Sequence, residues 1–150
     1  MKEKFYLASD HGAYEEKKEV MAYLKEKYSN LDIIDLGTSS AESCNYAEFA
    51  IKLAKHIQQE KVRGILFCGS GIGASIAANR FAGVRAALCR SVEEAKLSRL
   101  HNDANVLTMG GRITPVKLMK EMIDVWFLTE FESGRHVARI STFNALGERA

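Results

Sequence analysis

Short apolar segments alternate with amphipathic stretches along the whole chain. The apolar segments predict five strands, at residues 5–8, 33–36, 64–68, 84–89 and 105–109. The amphipathic stretches predict helices, because apolar residues recur there at helical spacing while Lys and Glu fill the other positions. These helices are expected at residues 14–28, 46–59, 72–79, 92–100, 115–129 and 136–146.

The segment at residues 64–68 is apolar without alternation, which is typical of a parallel strand covered on both faces. Five strands that are each followed by a helix predict an α/β fold. We expect a doubly wound, five-stranded parallel sheet in a Rossmann-like three-layer sandwich with a C-terminal helix. The 150 residues contain no linker or repeat and predict one domain over residues 1–150. In such sheets ligands bind beyond the carboxyl ends of the strands.

Composition excludes several classes of function. The net charge of +2 is near neutral, so nucleic acid and anionic membranes are not expected as partners. No apolar run approaches the roughly 20 residues that span a bilayer, and the charged residues 1–4 do not resemble a signal peptide. Cys44, Cys68 and Cys89 are widely spaced, which argues against a disulfide framework or a structural zinc site. A cytoplasmic protein is therefore expected.

A glycine-rich loop joins the third strand to the third helix. Its members are Cys68, Gly69, Ser70, Gly71, Ile72 and Gly73. Glycines in this position let backbone N–H groups face a ligand, so an anion cradle is favoured over a simple tight turn. A Walker A loop and a cysteine phosphatase loop are both excluded, because Ala74 stands where each needs a basic residue. A dinucleotide fingerprint is matched only in relaxed form and after the wrong strand, which leaves it a weak alternative.

Cys68 ends the strand immediately before this loop. Backbone amides stabilise a thiolate, which is compatible with a nucleophile, a redox centre or a base. The same amides suit an oxyanion that develops on a substrate. A base beside an oxyanion site fits proton abstraction next to a carbonyl, a reaction that needs no metal.

Charged side chains near other strand ends extend this site. Asp10 and His11 follow the first strand, and Arg112 follows the fifth, so all three are expected at the same edge of the sheet. Arg135 and Arg139 are spaced i, i+4 and share one helix face. Together with Arg112 they suit a phosphate, since the guanidinium fork matches that anion.

His101 precedes the fifth strand and is therefore expected at the opposite edge. If it is functional, it serves the site of a neighbouring subunit, which predicts a homodimer. His56 is interpreted as solvent-exposed and uninvolved, and Cys44 and Cys89 as structural.

Five motifs that span nearly the whole chain are specific in combination. They are residues 9–11, 68–79, 83–87, 101–106 and 134–136. Together they resemble the sugar-phosphate isomerase family that holds the B-type ribose-5-phosphate isomerases and the galactose-6-phosphate isomerase subunits. The resemblance implies interconversion of ribose 5-phosphate and ribulose 5-phosphate through an enediolate, with no metal or other cofactor.

The resemblance also implies roles for individual residues. Cys68 would be the base, the loop of residues 69–73 would bind the substrate, and the backbone amides of residues 70–73 would stabilise the enediolate. Asp10 and Tyr46 would contact the sugar, and His101 of the partner subunit, with Asn102 beside it, would assist ring opening. Phosphate binding would fall to His11, Arg112, Arg135 and Arg139, partly across a homodimer whose further pairing into a tetramer stays open.

Two departures from the family pattern are visible. Tyr46 lies in Asn45-Tyr46-Ala47 where relatives usually have Asp-Tyr-Pro, and Ser133 replaces a common glycine. Some relatives use a glutamate base at the position of Ser75, so serine there supports Cys68 as the base. The alternatives are an allose- or galactose-6-phosphate isomerase and, less favoured, a non-catalytic nucleotide- or phosphosugar-binding module. Cys68 and His101 in one chain argue against a galactose-type subunit.

Overall fold

The computed structural model describes residues 1–150. Its five strands are all parallel and lie in the order β2-β1-β3-β5-β4. They are β1 (Glu3–Ser9), β2 (Leu31–Asp35), β3 (Arg63–Cys68), β4 (Ala86–Leu88) and β5 (Val106–Gly110). The helices are α1 (Tyr14–Lys27), α2 (Tyr46–Glu60), α3 (Ile72–Ala78), α4 (Val92–Asn102), α5 (Val116–Leu128) and α6 (Arg135–Phe143). The predicted fold class is confirmed.

Helices cover both faces of the sheet. Phe5 and Leu7 of β1 pack on the face that carries α1, α4 and α5, where Trp126 is fully buried. Tyr6 and Ala8 point to the other face, against α2 and α3. This alternation follows from the two-residue period of a strand, and it explains why the central strands are apolar at every position.

The chain reverses its direction across the sheet at β1. It moves outward from β1 to β2, then returns to the other side of β1 to form β3. The carboxyl ends of β1 and β3 therefore border the crevice at which parallel sheets of this kind bind ligands. The end of β5 lies beside that of β3, with Cys68 paired to Gly110.

Element boundaries differ from the sequence prediction at two places near the site. The fourth strand is only three residues long, as befits a strand at the sheet edge. Helix α4 extends past residue 100 and includes His101 and Asn102, which had been expected in a loop. Asp103, at a φ of 45° in the left-handed region, ends the helix, and its carboxylate accepts a hydrogen bond from Arg99 at 2.8 Å.

None of the six helices has the length and apolar character needed to cross a bilayer.

Candidate active site

A cavity of about 570 Å³ opens beyond the carboxyl ends of β1, β3 and β5. Its walls combine an acid, a thiol, an arginine and glycine backbone. They are formed by Asp10, Tyr46, Cys68, Gly69, Ser70, Ile72, Gly73, Arg112 and Ile113. Sequence analysis named all of these except Ile113, whose position directly after Arg112 was the available signal.

Cys68 lies almost buried at the base of this cavity, with 4% of its surface exposed. Its Sγ accepts a hydrogen bond from the Gly71 backbone N–H at 3.1 Å. Gly71 adopts a φ of +79°, and a Cβ there would come within 2.6 Å of Leu88. Only glycine fits this turn, which folds the chain back so that an amide faces the sulfur. The amide therefore fixes the position of the sulfur at the base of the cavity.

Some backbone N–H groups of the loop donate hydrogen bonds within the protein, and others do not. Ile72 N–H donates to Ser70 Oγ at 3.2 Å, and Gly71 N–H is engaged by Cys68. The N–H groups of Ser70 and Gly73 donate to no protein acceptor. Of the four amides that sequence analysis assigned to the oxyanion, these two remain available for a ligand.

Asp10 and His11 occupy the turn after β1. Asp10 is 6% exposed, and its Oδ1 accepts from Gly12 N–H at 2.9 Å, which caps a short 3₁₀ turn at His11–Ala13. His11 Nδ1 accepts the backbone N–H of Cys44 at 3.1 Å, so in the neutral ring the proton is assigned to Nε2. His11 therefore presents an N–H donor, although it flanks the cavity without lining it.

Tyr46 is the first residue of α2, and its ring packs against the glycine loop. A Cβ on Gly73 would lie 2.5 Å from Tyr46 Cζ, so the absence of a side chain at Gly73 is what admits the ring. Asn45 caps the helix, because its Oδ1 accepts from Ala47 N–H at 3.0 Å. Asparagine and aspartate are both good N-cap residues. The replacement of the usual aspartate by Asn45 therefore keeps the start of α2.

Arg112 is tied to the glycine loop through its backbone. Gly111 N–H donates to Cys68 O and Arg112 N–H to Gly69 O, each at 2.9 Å. The guanidinium lies over Gly69, where an added Cβ would be 3.1 Å from its Nη1. Its side chain is exposed on the cavity wall, which suits a group that binds an anion from solvent.

The other predicted site residues lie outside this cavity. His101 and Asn102 are in the last turn of α4, and Asn102 lines a separate cavity of about 320 Å³. Arg135 and Arg139 are exposed on α6. The structure therefore separates the predicted residues into one group at the cavity and a second group formed by α4 and α6.

His101 stacks on a second histidine, His136, which entered the sequence analysis only as the last residue of the motif at residues 134–136. The rings of His101 and His136 stack with centroids 4.4 Å apart and an angle of 19° between their planes. Burial lowers the pKa of His136, and the nearby charges of His101, Arg135 and Arg139 lower it further. Glu132 lies beside both rings. The i, i+4 spacing of Glu132 and His136 was the signal in the sequence.

Two other expectations change with the structure. His56 is not fully exposed: its ring is stacked on Tyr6 at 4.6 Å and hydrogen-bonded to Glu60 at 2.8 Å. Lys17 occupies one of the charged positions of the amphipathic first helix, yet it is fully buried, with Nζ 2.6 Å from Asp35 Oδ1 and 2.7 Å from Thr38 O. No local pattern distinguishes it from the other lysines of α1.

Three residues of metal-ligating type come together at one place, and it lies outside the cavity. They are His101, Glu132 and His136.

Cys89, expected to be structural, is 1% exposed in the core, and burial raises the pKa of its thiol to about 12.

Comparison with known proteins identifies the family. A family model described as Ribose/Galactose Isomerase matches residues 5–143. The chain is 40% identical over 147 residues to ribose-5-phosphate isomerase B of Escherichia coli strain K12, covering 97% of both proteins.

Solved structures agree. Ribose-5-phosphate isomerase B of Clostridium thermocellum superposes with a TM-score of 0.90 at 40% identity, over 94% of this chain and 95% of that one. The Mycoplasma genitalium enzyme, solved with bound ribulose 5-phosphate, gives a TM-score of 0.89 at 34% identity, over 95% and 94% of the two chains. The resemblance in the motifs, the fold and these matches agree, and this chain belongs to the Ribose/Galactose Isomerase family.

Proposed function

We propose that this protein is an aldose–ketose isomerase that interconverts ribose 5-phosphate and ribulose 5-phosphate through an enediolate, with Cys68 as the base. The observation that carries the proposal is the position of Cys68. Its sulfur accepts an amide hydrogen bond at the base of a cavity that also holds an arginine and free backbone donors. A base, an oxyanion site and a phosphate ligand are what this isomerisation requires.

The proton moves between two neighbouring carbons. Cys68 as thiolate removes the proton from C2 of the open-chain aldose, and the electron pair of that C–H bond becomes the C1–C2 double bond as the carbonyl electrons move to O1. Return of the same proton to C1, with transfer of the proton from O2 to O1, gives the ketose. The reaction is redox-neutral overall, and the thiol that forms in the first step is consumed in the second.

Backbone donors and Asp10 position the reacting end of the sugar. The free N–H groups of Ser70 and Gly73 are the candidates to bind the enediolate oxygen, which carries more charge than the carbonyl it comes from. Asp10 presents a carboxylate on the cavity wall, where it accepts a hydrogen bond from a sugar hydroxyl. Tyr46 packs on Gly73 and closes the side of the cavity next to these donors.

The phosphate is assigned to the rim. Arg112 offers a guanidinium on the cavity wall, and His11 offers its Nε2 proton beside it. His11 follows β1 and Arg112 follows β5, and both strands are neighbours of β3. The rigid sheet therefore sets the distance between Cys68 and the residues that bind the phosphate.

A homodimer supplies the remaining groups. His101, Asn102, Arg135 and Arg139 stand on α4 and α6, away from the cavity of their own chain. Exposed apolar residues on α3 and α6, Ile72, Ile76, Val137 and Phe143, offer the kind of surface that a subunit contact covers. In the proposed dimer His101 reaches the partner's cavity and opens the furanose ring, while the two arginines complete the phosphate site.

Complementation between two impaired variants tests both the site and the dimer. Cys68→Ala and His101→Ala proteins are unfolded together and refolded as a mixture, which is assayed on ribose 5-phosphate at high enzyme concentration, where His101→Ala alone is limited by spontaneous ring opening. If each site combines the two residues from different chains, mixed dimers hold one intact site and the mixture regains about a quarter of the parent activity. If each site were built within one chain, the mixture would not exceed the rate of spontaneous ring opening, and the proposed arrangement would be wrong.

The substrate is tested in a separate assay. Conversion of ribose 5-phosphate is compared with that of allose 6-phosphate and galactose 6-phosphate, with and without a chelator. A higher kcat/KM for either hexose phosphate would overturn the pentose assignment, and binding without turnover would favour a phosphosugar-binding module.

The three free cysteines, one of them the proposed base, suit a reducing cytoplasm.

A further inference from the structure

Two histidines and a glutamate converge where α4, the α5–α6 loop and α6 meet. Glu132 Oε2 lies 3.8 Å from His101 Nε2 and 3.9 Å from His136 Nε2. The ligand atoms of the three side chains lie within 4.8 Å of one another. These separations are too long for hydrogen bonds, so the three groups face one another without bonding directly.

His136 carries an unpartnered atom into this cluster. The residue is 5% exposed, and its Nε2 is buried with no hydrogen-bond partner in the protein. Nearly all buried polar atoms of folded proteins are paired with protein or with a bound species. The orphaned nitrogen, next to Glu132, therefore indicates that the cluster binds a group of its own.

We propose that His101, Glu132 and His136 form a binding site for a divalent cation of the zinc type. Two imidazole nitrogens and one carboxylate oxygen are the three protein ligands of many zinc sites that keep a fourth position open for water. Zinc–ligand distances of about 2.0–2.2 Å place tetrahedral ligands about 3.3–3.6 Å apart, so the two Glu132–histidine separations of 3.8 and 3.9 Å need to shorten by about 0.2–0.6 Å.

The cluster has the freedom to make that adjustment. The Glu132 side chain is 55% exposed and that of His101 37% exposed, so both can rotate toward a bound ion. The His136 side chain is fixed by burial and serves as the anchor. Arg135 and Arg139 on α6 add positive charge nearby, which makes the site weaker than a structural zinc site of the closed type.

Occupancy of the site would regulate the protein. A zinc ion on Nε2 of His101 occupies the lone pair of that nitrogen, which then can no longer take up and release a proton. The inhibition rests on the proposed function. In that reaction the bound ion removes the ring-opening group, so zinc is a reversible inhibitor. The binding part of the proposal needs no catalytic activity.

Metal binding is measured first and directly. The full-length protein is stripped with a chelator and titrated calorimetrically with zinc, then with Co²⁺, whose visible spectrum reports coordination. We expect one ion per chain with micromolar affinity, and a cobalt spectrum without sulfur-to-metal charge transfer. His136→Gln and Glu132→Gln are each expected to weaken binding at least tenfold.

Matched controls locate the ion. His56 and Glu60 form a His–Glu pair at the same i, i+4 spacing but without a third ligand, so His56→Gln retains binding. Cys44 Sγ lies 3.8 Å from His11 Nδ1 and is the competing soft site, so Cys44→Ser also retains it. No binding at micromolar zinc, binding unchanged in His136→Gln, or binding lost in Cys44→Ser would each overturn the proposal.

Activity supplies the second readout. Rates are measured from ribose 5-phosphate at high enzyme concentration, where ring opening by His101 is needed, and each variant is compared with its own rate in chelator. Zinc is expected to inhibit the parent, with recovery on adding EDTA, and to inhibit His136→Gln at least tenfold more weakly. Binding at the cluster without inhibition would refute the regulatory part alone, while a protein that binds zinc but has no isomerase activity would refute the proposed function and leave the metal site intact.

Discussion

The sulfur of Cys68 lies 3.1 Å from the backbone nitrogen of Gly71, three residues further along the chain. The contact depends on the left-handed turn at Gly71, which no residue with a side chain fits. It fixes the sulfur at the base of the cavity and supplies one hydrogen-bond donor to it. A cysteine that would otherwise be a small apolar core residue is thereby placed where it can act as a base.

Removal of the thiol should abolish the proton transfer. We expect Cys68→Ala to lower kcat by about 10²–10⁴-fold, the usual contribution of a positioned base, with KM changed much less. The measurement is steady-state kinetics on ribose 5-phosphate. Cys89→Ala is the matched control, because that thiol is equally buried but lies in the core away from the cavity. Activity of Cys68→Ala within a few-fold of the parent would show that the base is another group.

The contact between Gly73 and Tyr46 can be tested by crowding it. Gly73→Ala places a Cβ 2.5 Å from the Tyr46 ring and should destabilise the fold by roughly 1–3 kcal/mol while raising KM. In the Tyr46→Ala background the same change meets no ring, so its cost should largely disappear. Urea unfolding of the four proteins in this double-mutant cycle measures the coupling. Additive costs would mean that the two residues do not limit each other.

His101 should matter only when a ring has to open. Ribulose 5-phosphate has its O5 esterified and cannot close a furanose ring, whereas ribose 5-phosphate is mainly cyclic. For His101→Ala at high enzyme concentration, the rate from ribose 5-phosphate should level off at the spontaneous ring-opening rate. The rate from ribulose 5-phosphate should stay proportional to enzyme. His56→Ala should remain proportional in both directions, and the same behaviour in His101→Ala would exclude the ring-opening role.

Lys17 anchors the segment that leads to the cavity wall. Its ammonium binds Asp35 Oδ1 and Thr38 O, between the end of β2 and the chain that continues to Tyr46. Lys17→Met leaves both acceptors without this partner and should cost about 3 kcal/mol of unfolding free energy. Lys18→Met, at an exposed lysine that pairs with Glu15 and lies over the Tyr14 ring, should change it by no more than about 0.5 kcal/mol. Equal effects in urea unfolding would mean that the buried ion pair adds nothing.

Glu60 makes stability depend on acid pH. Hydrogen bonds from His56, Tyr6 and Lys4 lower its pKa from about 4.5 to about 2. Because the folded pKa lies below the unfolded one, the stabilisation is complete above pH 4.5 and is lost as the pH falls toward 2. The thermal midpoint of Glu60→Gln should therefore fall less steeply across this range than that of the parent. Glu130→Gln, at an exposed glutamate with no ion pair, should keep the parent's slope.

The sequence predicted most of the cavity and only part of its surroundings. Apolar runs located β1, β3 and β5, and the rule that parallel strands end at one edge brought Asp10, Cys68 and Arg112 together. Lys17 escaped prediction because its burial depends on the packing of α1 over β2, which no local pattern encodes. The end of α4 was placed too early because it depends on the left-handed Asp103 and on its partner Arg99. Arg99 also donates to Thr129 O at 3.3 Å, a tertiary contact that no local pattern encodes.

The strand order has a consequence for how the protein is made. Cavity walls come from β1, β3 and β5, which are neighbours in the sheet but lie far apart along the chain, and Arg112 is the last residue of the set but one. A nascent chain that has left the ribosome only as far as β3 has its thiol and glycine loop but lacks the strand that closes the sheet beside them. Such non-local pairing forms late in folding. Cys68 and Arg112 therefore come to share one cavity only when synthesis has passed β5.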